Sequence, residues 1–368
     1  MARDTSPRFI AYQAVFHYLL RDQWMEPMVP LATEIACGTV RLLQRLEWIA
    51  CTLAKRPKLK LKHKEKALLF TALYQLHFTD QESFAVVYET VEIAKKETHK
   101  GFVSFLNALL RNQDPLPHPP SWDIEYSYPP YYIDLLLSHY SKDTVQTILK
   151  AGNTPPVLMA RHREDHTMVT DIPLQALTQS DRHYIQNSTQ VNLLNELAQR
   201  TSHPETILDL CSAPGGKLLF AHDIYPKAKL TANDVSKKRL KQLQENCQRY
   251  NIPASLTNLP GEHYPVDQKY DLIILDVPCS NTGVLNKRPE ARWRLSESTL
   301  NAHITLQQAL LNHALSLLSP NGYIWYLTCS ILLEENQSSR TPFLYEQTIL
   351  PDELGADGGF GGLIKKSH

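Results

Sequence analysis

Apolar residues over the first 112 or so positions recur at helical spacing. Ala11, Ala14, Val15, Tyr18 and Leu19 form one stripe, and Val40, Leu43, Leu46, Trp48 and Ile49 form another. Residues 67–78, 86–94 and 102–110 repeat the pattern, and strand signals are nearly absent. The expectation is an all-α bundle over 1–114. The run NQDPLPHPP (112–120) fits neither regular helix nor central strand, since proline fixes φ and removes a donor, and it marks a boundary. A small α/β connecting module is expected over 121–195. It holds a helical pair in 122–151, whose second member opens at Tyr128-Pro129-Pro130-Tyr131-Tyr132. A turn at 153–156 then leads into a strand ending in Arg161, His162 and Arg163.

From Thr206 the pattern changes to alternating strands and helices. Strands are predicted at 206–210, 229–235, 255–259, 271–275 and 323–327, with helices at 216–224, 237–250 and 300–318. Such alternation gives a mostly parallel sheet with right-handed crossovers, an α/β doubly wound fold over 196–368. Leu363 and Ile364 in the glycine-rich tail suggest a final edge strand.

Charge narrows this picture little: 38 basic and 38 acidic residues give a formal net charge of zero, so a nucleic-acid partner has to be sought in local patches. The clearest patch is 55–66 (KRPKLKLKHKEK), where Lys58, Lys60 and Lys62 stand clear of the apolar stripes. A solvated loop and a phosphate-contacting patch both fit it. The first twenty residues lack the unbroken apolar core of a secretory signal, and no apolar run is long enough to cross a bilayer. Six widely spaced cysteines without a CxxC pair point to free thiols in a reducing cytoplasm, and away from disulfides or zinc.

The chemistry gathers at strand ends. The run YDLIILDVPCSNTG (270–283) leaves Asp276 and Cys279 at the carboxyl edge of a strand apolar enough to be buried on both faces. Open α/β sheets bind ligands at that edge. Residues 207–210 run into Cys211-Ser212-Ala213-Pro214-Gly215-Gly216-Lys217, a glycine turn that lets a ligand approach the backbone. Asp234, about twenty residues beyond Gly215, is placed to bond ribose hydroxyls or to cap the helix opening at Ser236-Lys237. Together these fit a nucleoside-bearing cofactor. Cys37, Cys51 and Cys247 read as small buried hydrophobes. Cys279 and Cys329 instead sit in tight polar turns, PCS and TCS, where a thiolate can serve as nucleophile with Lys217, Lys287, Arg288 or Arg292 as nearby cations. Asp276 is positioned to contact a base edge. Two thiols and a carboxylate suggest covalent activation of a pyrimidine, and no metal, because neither thiol has His or Cys at ligand spacing.

The stretches LDLCSAPGGK (208–217), Asp234, LDVPCSNTGVL (275–285), KRPEARW (287–293) and TCSILLEEN (328–336) resemble, in order, the motifs of Sun-type RNA cytosine-5 methyltransferases. ACGTVRLLQRLEWI (36–49), ALYQLHF (72–78) and FLNALLRN (105–112) resemble the NusB-like RNA-binding domain of that family's bacterial branch. The resemblance implies a Rossmann-like methyltransferase domain using S-adenosyl-L-methionine on a cytidine in small-subunit ribosomal RNA; a cytoplasmic monomer is the separate expectation. The resemblance makes Cys329 the nucleophile at C6, Asp276 the contact at N3 and Cys279 the group assisting product release. The backbone of 211–217 would hold the methionine portion and Asp234 the ribose. Candidate RNA contacts are Lys58, Lys60, Lys62, Arg161, Lys287 and Arg288, and Pro289 and Trp293 are candidates for shaping the base pocket.

Three departures stand out. Pro260 occupies the place of an adenine-contacting acid, with Glu262 two residues on. The stretch between Pro156 and Gln190 is short. The ending DGGFGGLIKK differs from a DGFF-like one, which is expected to loosen the last hairpin. Two other function classes fit these residues less well. A nitrogen methyltransferase needs no nucleophilic thiol and typically carries Asn-Pro-Pro-Tyr where this chain has Asp-Val-Pro-Cys. A non-enzymatic RNA-binding protein would not need Asp276, Cys279 and Cys329 together.

Overall fold

The computed structural model describes residues 6–22, 29–112, 114–170, 172–337 and 342–366. Its contacts divide the chain into two compact units, Met1–Leu135 and Leu136–His368. The proline-rich stretch, of which Gln113 lies outside the described residues, therefore falls inside the first unit.

The first unit is helical. It contains α1 (Pro7–Arg21), α2 (Pro30–Arg41), α3 (Leu43–Leu53), α4 (His63–Phe78), α5 (Ser83–Glu97), α6 (Lys100–Leu110) and the short α7 (Trp122–Glu125); α8 (Pro130–His139) carries the chain across the boundary. α1 begins where the stripe predicts because Ser6 caps it, accepting from the Phe9 amide at 3.3 Å, with Pro7 in its first turn. α4 is apolar on nearly every side, with every residue from Ala67 to Gln75 buried. A helix hydrophobic all round belongs in a core, and α4 is the one the others surround. In the loop between α3 and α4, Lys58, Lys60 and Lys62 are exposed. Lys55, Lys64 and Lys66 are instead paired with Asp114, Glu97 and Glu47.

The second unit opens with α9 (Lys142–Ala151) and a small antiparallel sheet in the order β2-β1-β3, made of β1 (Ala160–His162), β2 (Met168–Val169) and β3 (His183–Ile185), with α10 (Leu174–Gln179) before β3. α11 (Ser188–Gln199) leads to β4 (Thr206–Asp209), α12 (Gly216–Ile224), β5 (Lys229–Asn233), α13 (Lys237–Arg249), β6 (Ala254–Thr257) and β7 (Tyr270–Asp276). α14 (Ala291–Arg294), α15 (Glu297–Leu317), β8 (Leu318–Thr328), α16 (Leu333–Asn336), β9 (Tyr345–Ile349) and β10 (Gly359–Lys365) complete it. Among the described residues the main sheet has seven strands in the order β6-β5-β4-β7-β8-β10-β9. β4 to β8 pair in parallel, and β10 runs antiparallel to both its neighbours. Alternate residues of one strand feed opposite faces: Leu272 and Ile274 join one apolar cluster, Ile273 and Leu275 the other. That two-sided burial is why β7 reads as an unbroken apolar run.

Two expectations about the tail are corrected. Leu363 and Ile364 do not lie on an edge, because β10 is inserted between β8 and β9. Nor is the hairpin loose: β10 and β8 stay in register from Phe360↔Thr328 to Lys365↔Tyr323. The extra glycines make room, since a Cβ on Gly362 would come within 2.5 Å of the Phe343 ring, which packs over the strand there.

Arg161 is a third correction. It is fully buried rather than displayed at a strand end, and its guanidinium bonds Asp223 at 2.8 Å and Gln186 at 3.2 Å. Asp223 also takes Arg163 at 2.8 Å, which fastens the small sheet to α12. A buried arginine so engaged is unavailable to a phosphate. Burial would raise the Asp223 carboxyl, but the neighbouring His222 and the hydrogen bonds and charge of Arg163 and Arg161 outweigh it and lower it. The pair's contribution is therefore full above the ordinary carboxylate range and is lost as pH falls through the depressed value. Asp223→Asn should remove about 3–5 kcal/mol of stability by leaving Arg161 buried and uncompensated. Urea unfolding at neutral pH measures this, and a loss below about 1 kcal/mol would show that the pair does not hold the sheet in place.

Candidate active site

The carboxyl ends of β4, β7 and β8 meet at a cleft of about 610 Å³. That volume lies within the ~300–1,000 Å³ usual for small-molecule sites. Its lining includes Ser212, Pro214, Gly216 and Lys217 after β4, Asp276 at the end of β7 and Cys329 after β8. Gln190 and Asn187 from the start of α11, Arg239 from α13 and the Lys287–Arg288 turn complete the walls.

The glycine turn is held from several sides. Gly215 has φ of +106°, a conformation that side-chain-bearing residues rarely adopt, and it caps α12 so that the helix's first amides face the turn. The Ser212 hydroxyl donates to Asp209 at 2.9 Å, and the Ser212 amide donates to the Asn233 carbonyl at 2.8 Å. The Ala213 amide donates to Asp234 at 3.2 Å. The Pro214 carbonyl accepts from Asn246 at 2.8 Å. Cys211 packs against the apolar cluster that includes Leu210 and Leu310, its thiol pushed up by burial and by the carboxylates around it. Beneath the turn, burial pushes the Asp209 carboxyl up to about 7 despite the Ser212 hydrogen bond.

Asp234 itself is 1% exposed. Besides the Ala213 amide it accepts from the Ser236 amide at 2.8 Å and pairs with Arg239 at 3.1 Å. The cap of α13 is Ser236, whose hydroxyl accepts from the Arg239 amide at 3.4 Å, while Asp234 holds the turn before it and Arg239 is the member of the pair that reaches the cleft. Next to it Val235 is 60% exposed, an apolar side chain left open at the same strand end.

Lys217 Nζ bonds Asp276 Oδ2 at 2.6 Å, joining the β4 and β7 ends. Burial opposes the lysine's charge, but Asp276 more than offsets it and raises its pKa. Cys329 accepts from Gln190 Nε2 at 3.7 Å, and burial raises its thiol while the Lys217 charge works the other way. Cys279 is buried behind it, raised well above the usual thiol range by desolvation and then by the proximity of Cys329. The two turns touch through the Gly283 amide, which donates to the Cys329 carbonyl at 2.9 Å. Lys287 lines the cleft but bonds Asp357 at 2.7 Å, and Arg288 is exposed beside it. Pro289 is buried and Trp293 half-buried.

Of the residues expected at the site, Ser212, Pro214, Gly216, Lys217, Asp276, Cys329, Lys287 and Arg288 line the cleft, whereas Cys211, Ala213, Gly215, Asp234 and Cys279 are not among its lining and Arg161 is buried elsewhere. Lys58, Lys60 and Lys62 belong to the other unit. Gln190, Arg239 and Asp209 are site residues that the sequence reading did not single out. Only Asp209 had a signal, as the last residue of an apolar run entering the glycine turn.

The donor set fits a cofactor with a carboxylate, a cation and a nucleoside: helix-start amides, Lys217 and Arg239 line the cleft, with the exposed Val235 outside the lining at the β5 end. Fold and site define a Rossmann-like methyltransferase dependent on S-adenosyl-L-methionine. Residues 197–350 match the family described as 16S rRNA methyltransferase RsmB/F, and residues 5–114 match the NusB family. The chain is 30% identical over 383 residues to the ribosomal RNA small subunit methyltransferase B of Proteus mirabilis (strain HI4320), covering 91% of this chain and 90% of that one. To the protein of the same name from Photorhabdus laumondii subsp. laumondii it is 28% identical over 392 residues, covering 92% and 90%. The chain belongs to this ribosomal RNA small subunit methyltransferase B family. A solved structure described as PH0851 shares the fold across 99% of both chains, with a TM-score of 0.78 at 19% identity. A methyltransferase homologue from Pyrococcus horikoshii aligns with 65% of this chain at a TM-score of 0.52. Among the described residues no helix is long and apolar enough to cross a membrane.

Proposed function

We propose that this chain methylates C5 of a cytidine in small-subunit ribosomal RNA through a covalent Cys329 adduct. The observation that carries the reading is the meeting of two thiol-bearing turns beside a cleft that also holds the Lys217–Asp276 pair. The backbone of 211–217 holds the methionine end of the cofactor, with Asp234 and Arg239 at the ribose. Val235 offers the adenine the apolar contact that stands in for the acid replaced by Pro260. S-adenosyl-L-methionine, when bound, supplies an electrophilic methyl group.

Cytosine C5 is a poor nucleophile while the ring is aromatic. The Cys329 thiolate adds to C6 and leaves C5 electron-rich, while Asp276 contacts N3 and stabilises the charge that develops there. Once C5 carries the methyl group, Cys279, having first given up its own proton to solvent, takes the C5 proton as thiolate. The C5–C6 double bond re-forms and Cys329 departs as thiolate. Both thiols are raised by burial, so each must be deprotonated against its surroundings, and the Lys217 charge favours the Cys329 thiolate.

The target base has to leave its stack, at a cost of a few kcal/mol. The exposed Lys58, Lys60 and Lys62 of the helical unit contribute phosphate contacts toward that cost, as do Lys287 and Arg288 at the cleft. The three-part organisation 1–114, 121–195 and 196–368 assigns RNA gripping, connection and chemistry in turn. Bisulfite mapping of ribosomal RNA from cells with and without the protein tests the reading: one small-subunit cytidine should lose protection when it is absent. An unchanged map would overturn it.

A further inference from the structure

Glu335 lies in the stretch after Cys329, on α16, and is fully buried. Its Oε1 accepts from the Ser280 amide at 2.9 Å and from Gln307 Nε2 at 3.0 Å. Its Oε2 accepts from the Ser280 hydroxyl. Gln307 also donates to the Pro278 carbonyl at 2.9 Å. The residues on either side of Cys279 are therefore held by one carboxylate and the amide attached to it. Ser330 follows Cys329 and extends the same web. Its hydroxyl meets that of Thr282 at 2.9 Å and that of Ser280 at 3.3 Å. Asn336 closes it, bonding Thr328 at 2.8 Å and the Ser330 carbonyl at 3.0 Å.

Nothing in the reaction uses Glu335 directly, and a carboxylate at 0% exposure is an expensive way to build an ordinary core. Its bonds run from the α16 segment that follows Cys329 to the turn that holds Cys279. We infer that Glu335 is the positioning residue that sets Cys279 against the Cys329 adduct, so that its loss impairs product release more than adduct formation. The inference rests on the proposed mechanism. In that step Cys279 removes the C5 proton, the pair of electrons from that C–H bond forms the C5–C6 double bond, and Cys329 leaves with the electrons of its bond to C6. The geometry of Cys279 matters only then. Cys329 reaches C6 from the β8 end, where its own contacts are the Gly283 amide through its carbonyl and Gln190 through its sulfur.

The test uses the full chain with ribosomal RNA fragments and S-adenosylmethionine, scoring methylation and denaturation-resistant protein–RNA adduct together. Glu335→Ala should lower turnover by about 10²-fold, the scale expected of a catalytic group misplaced by an ångström, with adduct accumulating. Glu335→Gln keeps an acceptor for the Ser280 amide and should restore turnover to within about tenfold of the native chain. Ser280→Ala, which leaves that amide in place and is the milder change to the fold, should accumulate adduct to a smaller extent. Loss of turnover without adduct in Glu335→Ala and Ser280→Ala would overturn the inference, as would native turnover in both. The Cys279→Ala chain run alongside separates the two levels: if it traps adduct and the Glu335 and Ser280 variants do not, the positioning role fails and the mechanism stands. If Cys279→Ala traps none, the mechanism itself fails.

Discussion

Cys329→Ala should bring methyl transfer down to background, a loss of about 10⁴-fold or more, while RNA affinity stays within a factor of about two. The size follows from removing a covalent nucleophile, without which C5 never leaves the aromatic ring. The unchanged affinity follows from the position of Cys329. It ends a central strand, its sulfur touches Gln190, and it lies in a different unit from Lys58, Lys60 and Lys62. Filter binding at two salt concentrations together with methyl incorporation measures both quantities. Retained turnover would remove Cys329 from the reaction, and lost affinity would mean that the substitution had disturbed the fold.

Cys279→Ala should have the opposite signature. Addition to C6 and methylation at C5 still proceed, the C5 proton is not removed, and the protein stays joined to the RNA. A single round of methylation followed by a stable adduct on a denaturing gel is the expected result. The buried setting of Cys279 supports this division of labour. Desolvation raises its thiol and the neighbouring Cys329 adds to that, an addition that ends once the Cys329 sulfur is bonded to carbon. Free RNA with multiple turnover would rule the release role out.

Much of this site was legible because parallel strands announce their ends. The apolar run of β7 stops at Asp276, that of β4 at the glycine turn and that of β8 at Thr328, and strand ends of a doubly wound sheet face one edge. What the pattern does not carry is partnership across long stretches of chain. Arg161 read as a surface strand end because its counter-charge, Asp223, is 62 residues away on α12. Gln190 reaches Cys329 across 139 residues, and nothing local to it marks a site. Strand order is equally hidden: GFGGLIK has the look of an edge until Phe343 is found to fill the space its glycines leave. Glu335 lies within TCSILLEEN (328–336), yet nothing in that stretch marks its contact with Ser280, 55 residues earlier in the chain.

The claim on which the account turns is that Cys329, and no other thiol, bonds to the base. Digestion of the trapped Cys279→Ala complex and mass analysis of its peptides tests it directly. The expected result is a nucleotide attached to the peptide containing Cys329. Attachment at Cys211, or at any residue outside the β8 turn, would contradict it.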